Sequence, residues 1–304
     1  MLLMLPVLAA TCPAPAQGRM QRVQAQYCAH RQLANPAAMS EATAVDAALY
    51  GQYRLYGFDG APREAALQVT VPFSTGTNRR SYYFSGGNAS AESYSMFFGV
   101  GAYGASIGAY SEYNAALSYA YQVRLSQGMQ LAFGVALGAS VSGRSYGSMQ
   151  DGDPSLLSTS LWQLHSQAGV YLHGAEYYAS VYSPAATDKA VFLQAGYSTA
   201  VGRSDEGSYY EDASQKKNRW EVHAQAGWKK GEEIILQGST LYTVNSLLGV
   251  GVSWQNPLNL AALAQLSIGG MKICYAYQIT DFNVNILQHE IMLKISFSKK
   301  KNLY

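Results

Sequence analysis

Histidine, serine and carboxylate side chains are the groups in this sequence that could carry out acid–base or nucleophilic chemistry. Glu221 and His223 are two positions apart, so both would lie on one face of a β-strand. His165 and His173 would also lie on an inward face. A hydrolase needs a nucleophile beside its base, and no nucleophile motif accompanies these histidines. We therefore predict that the chain is not an enzyme and that these side chains line a polar interior.

The histidines and cysteines do not show the spacing of metal ligands, so we predict no metal site and no cofactor. The cysteines are Cys12, Cys28 and Cys274. Loss of an N-terminal leader would leave Cys28 and Cys274, too few for a disulfide scaffold. These two could pair if the N-terminal segment reached the strand that carries Cys274. The alternative is two buried free thiols.

The composition narrows the class of protein. Charged residues make up 13% of the 304 residues, against roughly 25% in a typical soluble domain. Mean hydropathy is nevertheless close to zero, which argues against a bundle of membrane helices. The chain has 24 Tyr and 29 Gly, and these residues suit membrane interfaces and strand bends, respectively. A net charge of +2 without a dense basic patch argues against a nucleic-acid partner.

The first residues resemble an export signal. A short apolar run from Leu2 to Ala10 is followed by Ala14-Pro15-Ala16, an A-x-A-like cleavage site. We predict a signal peptide at 1–16. A lipoprotein signal with Cys12 as the acylated residue is the alternative, and either would mean export.

Apolar and polar residues alternate along much of the chain, as they do in β-strands with one apolar face. The alternating runs are about nine to thirteen residues long, which is the length of a tilted strand that crosses a bilayer. Soluble strands average about five or six residues, so a membrane barrel is favoured over a soluble sandwich. Alternation is clear in 45–55, 65–71, 113–124, 129–141, 191–197, 220–228, 271–279 and 291–297.

The predicted fold is all-β, a transmembrane antiparallel up-and-down β-barrel of about 14 strands, with twelve or sixteen as alternatives. The longer polar connections at 74–93, 142–160 and 203–218 are interpreted as extracellular, and the tight turns at 126–128 and 229–232 as periplasmic. The predicted parts are a signal peptide at 1–16, an N-terminal periplasmic or lumenal segment at 17–42, a barrel at 43–297 and a basic tail at 298–304.

Two segments carry the motifs of a known family. The first has Asn35-Pro36-Ala37, a strand, and then Gly57-Phe58-Asp59-Gly60-Ala61-Pro62. The second has Cys274-Tyr275-Ala276-Tyr277-Gln278, a connection, and His289-Glu290-Ile291-Met292-Leu293. In order, spacing and position near both ends, these motifs resemble the PorP/SprF family of type IX secretion and gliding-motility proteins.

The resemblance implies an outer-membrane barrel of the Bacteroidetes that acts in export or surface anchoring of cargo. It implies as partners the periplasmic ring lipoproteins of the secretion machine, a secreted surface adhesin, or both, besides outer-membrane lipid. We expect family-motif and partner-contact roles for Asn35, Pro36, Ala37, Gly57, Phe58, Gly60, Ala61, Pro62, Tyr275, Tyr277, His289 and Glu290.

The motif residues also have a purely structural interpretation. Pro36 fixes its own φ and biases Asn35 away from helix, while Gly60 and Pro62 suit a turn. For His289 and Glu290 we expect an interface or lumen hydrogen bond rather than catalysis.

A passive, porin-like channel is the main alternative function. Charged side chains of both signs are predicted to face inward, which favours internal pairing over an ion-selective ring. They are Asp46, Arg54, Glu64, Arg124, Glu221, His223 and Lys272.

Overall fold

The computed structural model describes residues 25–29, 31–55, 60–73, 96–126, 128–144, 160–184, 190–201, 218–229, 234–256, 259–280 and 286–297. Fourteen strands follow two short helical turns. The strands are β1 (Val45–Arg54), β2 (Arg63–Phe73), β3 (Met96–Ile107), β4 (Tyr110–Arg124), β5 (Met129–Arg144), β6 (Ser160–Gly174), β7 (Tyr177–Ser183), β8 (Ala190–Val201), β9 (Asn218–Lys229), β10 (Ile235–Val244), β11 (Leu248–Gln255), β12 (Asn259–Ile268), β13 (Met271–Thr280) and β14 (Ile286–Phe297). No helix in these ranges is long and apolar enough to cross a membrane.

The strands form one closed barrel in chain order, each pairing with its sequence neighbours in antiparallel register, and β14 pairs with β1 to close the sheet. Every described strand therefore has a partner strand on both sides, as a barrel in lipid requires, although the short β7 pairs only with Ala168–His173 of β6. The predicted barrel and its strand number are confirmed. Strand lengths range from 7 residues in β7 to 16 in β5, a wider spread than the alternating runs indicated.

Alternation along each strand separates an apolar outer face from a polar inner face. On β4, Tyr113 and Leu117 point outward and are more than 60% exposed, whereas Gln122 points inward and is buried. On β6, the outward side chains of Trp162 and Leu164 are 75% and 83% exposed. Large apolar side chains this exposed, carried around the whole barrel, form a surface suited to lipid.

The topology corrects the predicted sides of the loops. β1 begins and β14 ends at one rim, here termed the first rim; the opposite rim is the second rim. Because successive strands alternate in direction, the connections 74–95 and 202–217 leave from the first rim and 145–159 leaves from the second. The three long connections, which lie outside the described residues, therefore do not share a side, and that prediction was wrong. The side of a loop depends on how many strands precede it, and the alternating segments of the sequence did not include β3, β6, β7, β10, β11 or β12.

Candidate functional site in the barrel lumen

The chain that precedes β1 lies inside the barrel. We term residues 25–29 and 31–42 the lumenal segment. It contains a short helix, α1 (Arg31–Ala34), and a 3₁₀ helix, Pro36–Glu41. Asn35 caps the 3₁₀ helix because its side-chain oxygen accepts a hydrogen bond from the Ala37 N–H at 2.9 Å, and Pro36 occupies the first helical position, where no N–H is needed. The Asn-Pro-Ala motif therefore sets the shape of this segment.

One side of the lumen is built from small residues that leave room for the lumenal segment. We term this the small-residue wall: Gly99 on β3, Ala120 on β4, Ala132 and Gly134 on β5, and Gly169 on β6. Ala120, Gly134 and Gly169 are register partners on three adjacent strands.

The two central glycines of this wall are needed for close approach. A Cβ atom on Gly134 would overlap the backbone of Pro36 and Ala37, and one on Gly169 would overlap the Asn35 side chain. A Cβ atom on Gly99 would come within 2.5 Å of the Met39 sulfur. The wall and the Asn35–Met39 stretch are therefore complementary in shape.

Apolar packing continues along the lumenal segment in separate clusters. Ala37 and Ala38 pack with Ala132, Tyr171 and Tyr178. A second cluster joins Met39 and Ala42 to Phe97 and Ala120, and a third joins Ala25 to Leu241, Ala261, Leu263 and Ala276. Since each cluster includes residues of the lumenal segment and of the barrel, the segment forms much of the interior core.

Glu290 anchors the beginning of the lumenal segment to β14. Its carboxylate accepts hydrogen bonds from the backbone N–H groups of Ala25 at 2.9 Å and Gln26 at 3.2 Å. Side-chain amides of Gln52 and Gln288 donate to it at 2.9 and 2.6 Å, and the Gln26 side chain donates to the Glu290 carbonyl at 3.1 Å. The side chain is fully buried. Hydrogen bonds to a charged acceptor are roughly twice as strong as neutral ones, so this is the strongest polar attachment described for the segment.

An ion pair braces the other part of the lumenal segment. Arg31 donates from Nη2 to both carboxylate oxygens of Glu41 at 3.0 Å, and its guanidinium lies 4.2 Å from the centre of the Tyr178 ring. The Tyr171 hydroxyl also donates to Glu41. Burial works to raise the pKa of Glu41, but Arg31 and Tyr171 outweigh burial and hold that pKa below its ordinary value. Burial likewise opposes the charge of Arg31, yet Glu41 raises the pKa of that guanidinium.

The opposite side of the lumen is lined with amide side chains. We term this the glutamine wall, and it carries a glutamine on each strand from β8 to β14: Gln194, Gln225, Gln237, Gln255, Gln265, Gln278 and Gln288. Gln194, Gln225 and Gln237 are register partners, and Gln194 donates to Gln225 at 2.5 Å. Gln288 likewise donates to Gln278 at 3.0 Å. An amide both donates and accepts, so neighbouring glutamines can pair without net charge.

The charged residues predicted to face inward do so, and several are paired. Lys294 lies 2.9 Å from Asp46, and Arg54 lies 3.6 Å from Glu64. Arg124 is exposed at the end of β4, where its Nε donates to the Ser126 carbonyl at 3.2 Å. The predicted internal pairing of mixed charges thus holds for Asp46, Arg54 and Glu64.

The histidines considered for catalysis are held in lumen packing. His223 lies 3.5 Å from Glu221 and 3.1 Å from the Tyr178 hydroxyl. His165 contacts the Asn114 amide at 2.9 Å.

The His173 ring lies 3.4 Å from the Ser40 hydroxyl, a contact that brings a serine next to a histidine and was not expected from the sequence. Ser40 belongs to the buried 3₁₀ helix of the lumenal segment, so this pair joins the segment to β6.

Both cysteines of the described part of the chain are free thiols. The Cys28 sulfur lies 3.8 Å from the Ser239 hydroxyl and the Cys274 sulfur 3.8 Å from the Gln265 side chain. Within the described ranges there is also no group of three or more His, Cys, Asp or Glu side chains that could hold a metal ion.

The remaining motif residues belong to the β1–β2 connection and to strands β13 and β14. Gly57 and Phe58 lie outside the described residues. Gly60 has a φ of 73°, a conformation that favours glycine, and its carbonyl accepts a hydrogen bond from the Gly108 N–H at 2.8 Å. Pro62 accepts from the Arg54 N–H at 3.0 Å, and Ala61 is buried beside it. These residues shape the β1–β2 connection.

Tyr275, Tyr277 and His289 point away from the lumen, on the outer face of β13 and β14. The Tyr275 hydroxyl contacts His289 Nδ1 at 2.8 Å, and the Tyr277 ring lies 5.3 Å from the His289 ring. Adjacent residues of one motif therefore have opposite roles, since Glu290 faces the lumenal segment and His289 faces outward. Partner contact by any of the motif residues stays a prediction.

Sequence reasoning missed the Arg31–Glu41 pair and the small-residue wall. The ion pair had a weak signal, because Arg31 and Glu41 are the only charged residues between positions 31 and 42. The small-residue wall had almost no signal in the sequence, because alanine and glycine at alternating positions are compatible with any strand. Only the register of β4, β5 and β6 brings them together.

Comparison with known proteins gives one family and a set of similar folds. The family model described as "Type IX secretion system membrane protein PorP/SprF" matches residues 16–295. The comparison with curated proteins finds no match.

Among solved structures, the outer membrane protein Omp33 of Acinetobacter baumannii is 13% identical, with a TM-score of 0.45 over 84% of this chain and 100% of that one. A mutant porin of Rhodopseudomonas blastica is 9% identical, with a TM-score of 0.35 over 84% and 99%. The KdgM porin is 9% identical, with a TM-score of 0.34 over 84% and 100%.

Proposed function

Because this chain belongs to the PorP/SprF family of type IX secretion system membrane proteins, we propose that it acts in that machinery as a plugged outer-membrane barrel, in export or surface anchoring of cargo, through binding to partner proteins. The observation that carries the proposal is the lumenal segment. It packs against the small-residue wall and is hydrogen-bonded to Glu290, so it occupies the interior through which a passive channel would conduct.

Occupation of the lumen supports a binding role over the porin-like alternative. A porin keeps an aqueous channel through its interior. Here, core packing and a buried carboxylate hold a segment of the chain inside the barrel, and removing it would expose apolar side chains and leave the Glu290 carboxylate with fewer hydrogen bonds. In a barrel whose lumen is filled in this way, partner proteins would bind at the rims and connections.

The partners follow from the family. We propose that they are the periplasmic ring lipoproteins of the secretion machine, a secreted surface adhesin, or both, and that gliding motility is one process served. No catalytic step, cofactor or nucleic acid is part of this proposal.

Affinity purification from the native outer membrane in a mild detergent, followed by mass spectrometry, tests the proposal. We expect secretion-ring lipoproteins or one large surface protein in stoichiometric amounts. Planar-bilayer recording of the same preparation should show no steady conductance. A barrel that purifies alone and conducts ions steadily would contradict the proposal and support the channel.

A further inference from the structure

The outer face of the barrel has almost no charge. On the described strands, all outward positions except two are apolar, small, aromatic or neutral polar residues. In the described strands no acidic side chain faces outward, and the only basic ones are Arg63 and His289. A charge on the lipid face of a barrel is destabilising except near the interfaces, so two basic residues found there together need an explanation.

These two residues belong to one continuous row. Tyr53 pairs with Arg63 on one side and with His289 on the other, and His289 pairs with Tyr277. The row crosses β2, β1, β14 and β13, the place where the barrel closes. Neighbouring strands are about 4.8 Å apart, so the four side chains extend over roughly 14 Å.

The side chains of the row are ordered by one another. The Arg63 guanidinium lies 5.0 Å from the centre of the Tyr53 ring, and its Nη2 is 3.5 Å from the Tyr53 hydroxyl. At the other end, the Tyr275 hydroxyl lies 2.8 Å from His289 Nδ1, and the Tyr277 ring centre lies 5.3 Å from that of His289. Stacking on an aromatic ring restrains a guanidinium while leaving N–H groups free to bind an anion.

The row is at the depth of lipid headgroups. Arg63 is the first residue of β2 and Tyr53 the last but one of β1, so the row lies beside the second rim. Aromatic residues at this height mark the interface between hydrocarbon and headgroups. The anion available there is the phosphate of a lipid.

We propose that Arg63, Tyr53, His289 and Tyr277 form a binding site on the outer wall for the phosphate group of a membrane lipid. Arg63 pairs with the phosphate oxygens, and the Tyr53 ring orients its guanidinium. The Tyr277 hydroxyl and the His289 imidazole donate hydrogen bonds, and the acyl chains lie along the apolar strands below. This site is independent of the lumen and of the function proposed above.

The lipid that we expect is lipid A. Both ends of the barrel, the start of β1 and the end of β14, lie at the first rim, and the segment before β1 is the part that we expect on the periplasmic side. Connection length alone does not decide the side, because the first rim has four turns of four residues or fewer and also the connections 74–95 and 202–217. With the first rim in the periplasm, the second rim faces the outer leaflet, which contains lipid A.

Native mass spectrometry of the full chain in detergent micelles tests the site. The probes are lipid A, phosphatidylglycerol and a phosphate-free diacylglycerol, added separately. We expect one bound lipid A per barrel, affinity reduced on the order of fivefold in Arg63→Gln, and little change in Tyr53→Phe, which keeps the ring beneath the guanidinium. Arg124→Gln is the matched control, because Arg124 is exposed at the opposite rim and on the inward face.

Folding of each variant is checked by the difference in electrophoretic mobility between heated and unheated samples. Arg63-dependent binding of lipid A or of phosphatidylglycerol supports the phosphate site, and the preferred lipid identifies the leaflet. Equal affinity in Arg63→Gln and Arg124→Gln would overturn the proposal, as would equal binding of diacylglycerol. Unchanged lipid binding with loss of a copurifying protein from Arg63→Gln would make the row a protein contact and would also overturn it.

Discussion

The two walls of the lumen hold the same segment by different physical means. The small-residue wall holds it by shape, since glycine and alanine let the backbone of Asn35–Met39 approach the strands of the barrel. On the glutamine-lined side, Ala25 packs in a small apolar cluster, and the hydrogen bonds to the start of the segment converge on Glu290. Larger side chains in the small-residue wall should therefore weaken retention of the segment. On the glutamine-lined side, retention should depend on charge and hydrogen bonding.

This difference indicates where the segment could be released. Where the segment packs against backbone, it can shift little, because protein interiors are close-packed and moving the backbone would also move the residues that contact it. Hydrogen bonds to a carboxylate can be exchanged for others in a polar lumen, one at a time. We infer that the end at Ala25 and Gln26 leaves first and the end at Asn35–Met39 last.

Adding one methyl group to the small-residue wall should have the largest effect. In Gly134→Ala the new Cβ would overlap the backbone of Pro36 and Ala37, which cannot rotate away. We expect a loss of about 1–3 kcal/mol in retention of the lumenal segment. Trypsin cleavage after Arg31, followed by mass spectrometry, measures this loss, because that bond is protected while the segment is in the lumen. Steady conductance in a planar bilayer should increase in parallel.

Gly101→Ala is the matched control for that experiment. Gly101 also faces inward, on β3, but the nearest atom to an added Cβ is the Leu67 carbonyl oxygen at 3.7 Å, an ordinary contact. It should cleave like the unmodified protein. If both variants cleave at the same rate, glycine in the wall has a general role in the strands and the shape argument is wrong.

The sequence predicted the barrel well and the lumen poorly, and the reason is physical. A strand with lipid on one side and a polar interior on the other leaves a period of two in the sequence, as between Tyr113 and Val123. The contacts of the lumenal segment leave no period. The bonds from Ala25 and Gln26 to Glu290 span 265 and 264 positions, and they involve backbone N–H groups that every residue except proline possesses.

The motifs could be identified in the sequence, but the different contacts of their residues could not. His289 and Glu290 are adjacent, and on a strand adjacent residues face opposite sides. That much could be predicted from the sequence. Two contacts could not be predicted: that of Glu290 with a segment of its own chain, and that of His289 with the row that extends to Arg63. Both depend on the pairing of β14 with β1, which only the structure shows.

Removing the charge at position 290 should have the second largest effect. Glu290→Gln keeps the shape of the side chain and one carbonyl oxygen. Its amide NH₂ would face N–H donors that, in the unmodified protein, donate to the carboxylate. We expect retention of the segment to fall by about 1–2 kcal/mol, the difference between charged and neutral acceptors. Cleavage after Arg31 should therefore rise less than in Gly134→Ala.

Lys294→Gln provides a control for loss of an inward charge on the same strand. Lys294 pairs with Asp46 rather than with the lumenal segment. Hydrogen exchange should be faster at Ala25 and Gln26 in Glu290→Gln and unchanged there in Lys294→Gln. Exchange at those two amides equal to that of the unmodified protein would contradict the proposed anchor.

The smallest expected effect is a pH dependence from Arg31 and Glu41. The pKa of Glu41 is lower in the folded protein than its ordinary value of about 4.3, because Arg31 and Tyr171 favour the carboxylate despite burial. The pair therefore stabilises the segment fully above that pH, and the contribution is lost as pH falls through the lowered pKa. Its size should be under about 1 kcal/mol, since both side chains are partly exposed.

Conductance of reconstituted barrels between pH 3 and pH 6 separates this pair from other acid-sensitive groups, when the unmodified protein is compared with Glu41→Gln. Every other carboxylate is common to both proteins, so only the difference between the two curves reports Glu41. The variant should be more open at pH 6 and should converge with the unmodified protein at the acid end. Parallel curves over the whole range would mean that the ion pair does not hold the segment, leaving retention to the small-residue wall and Glu290.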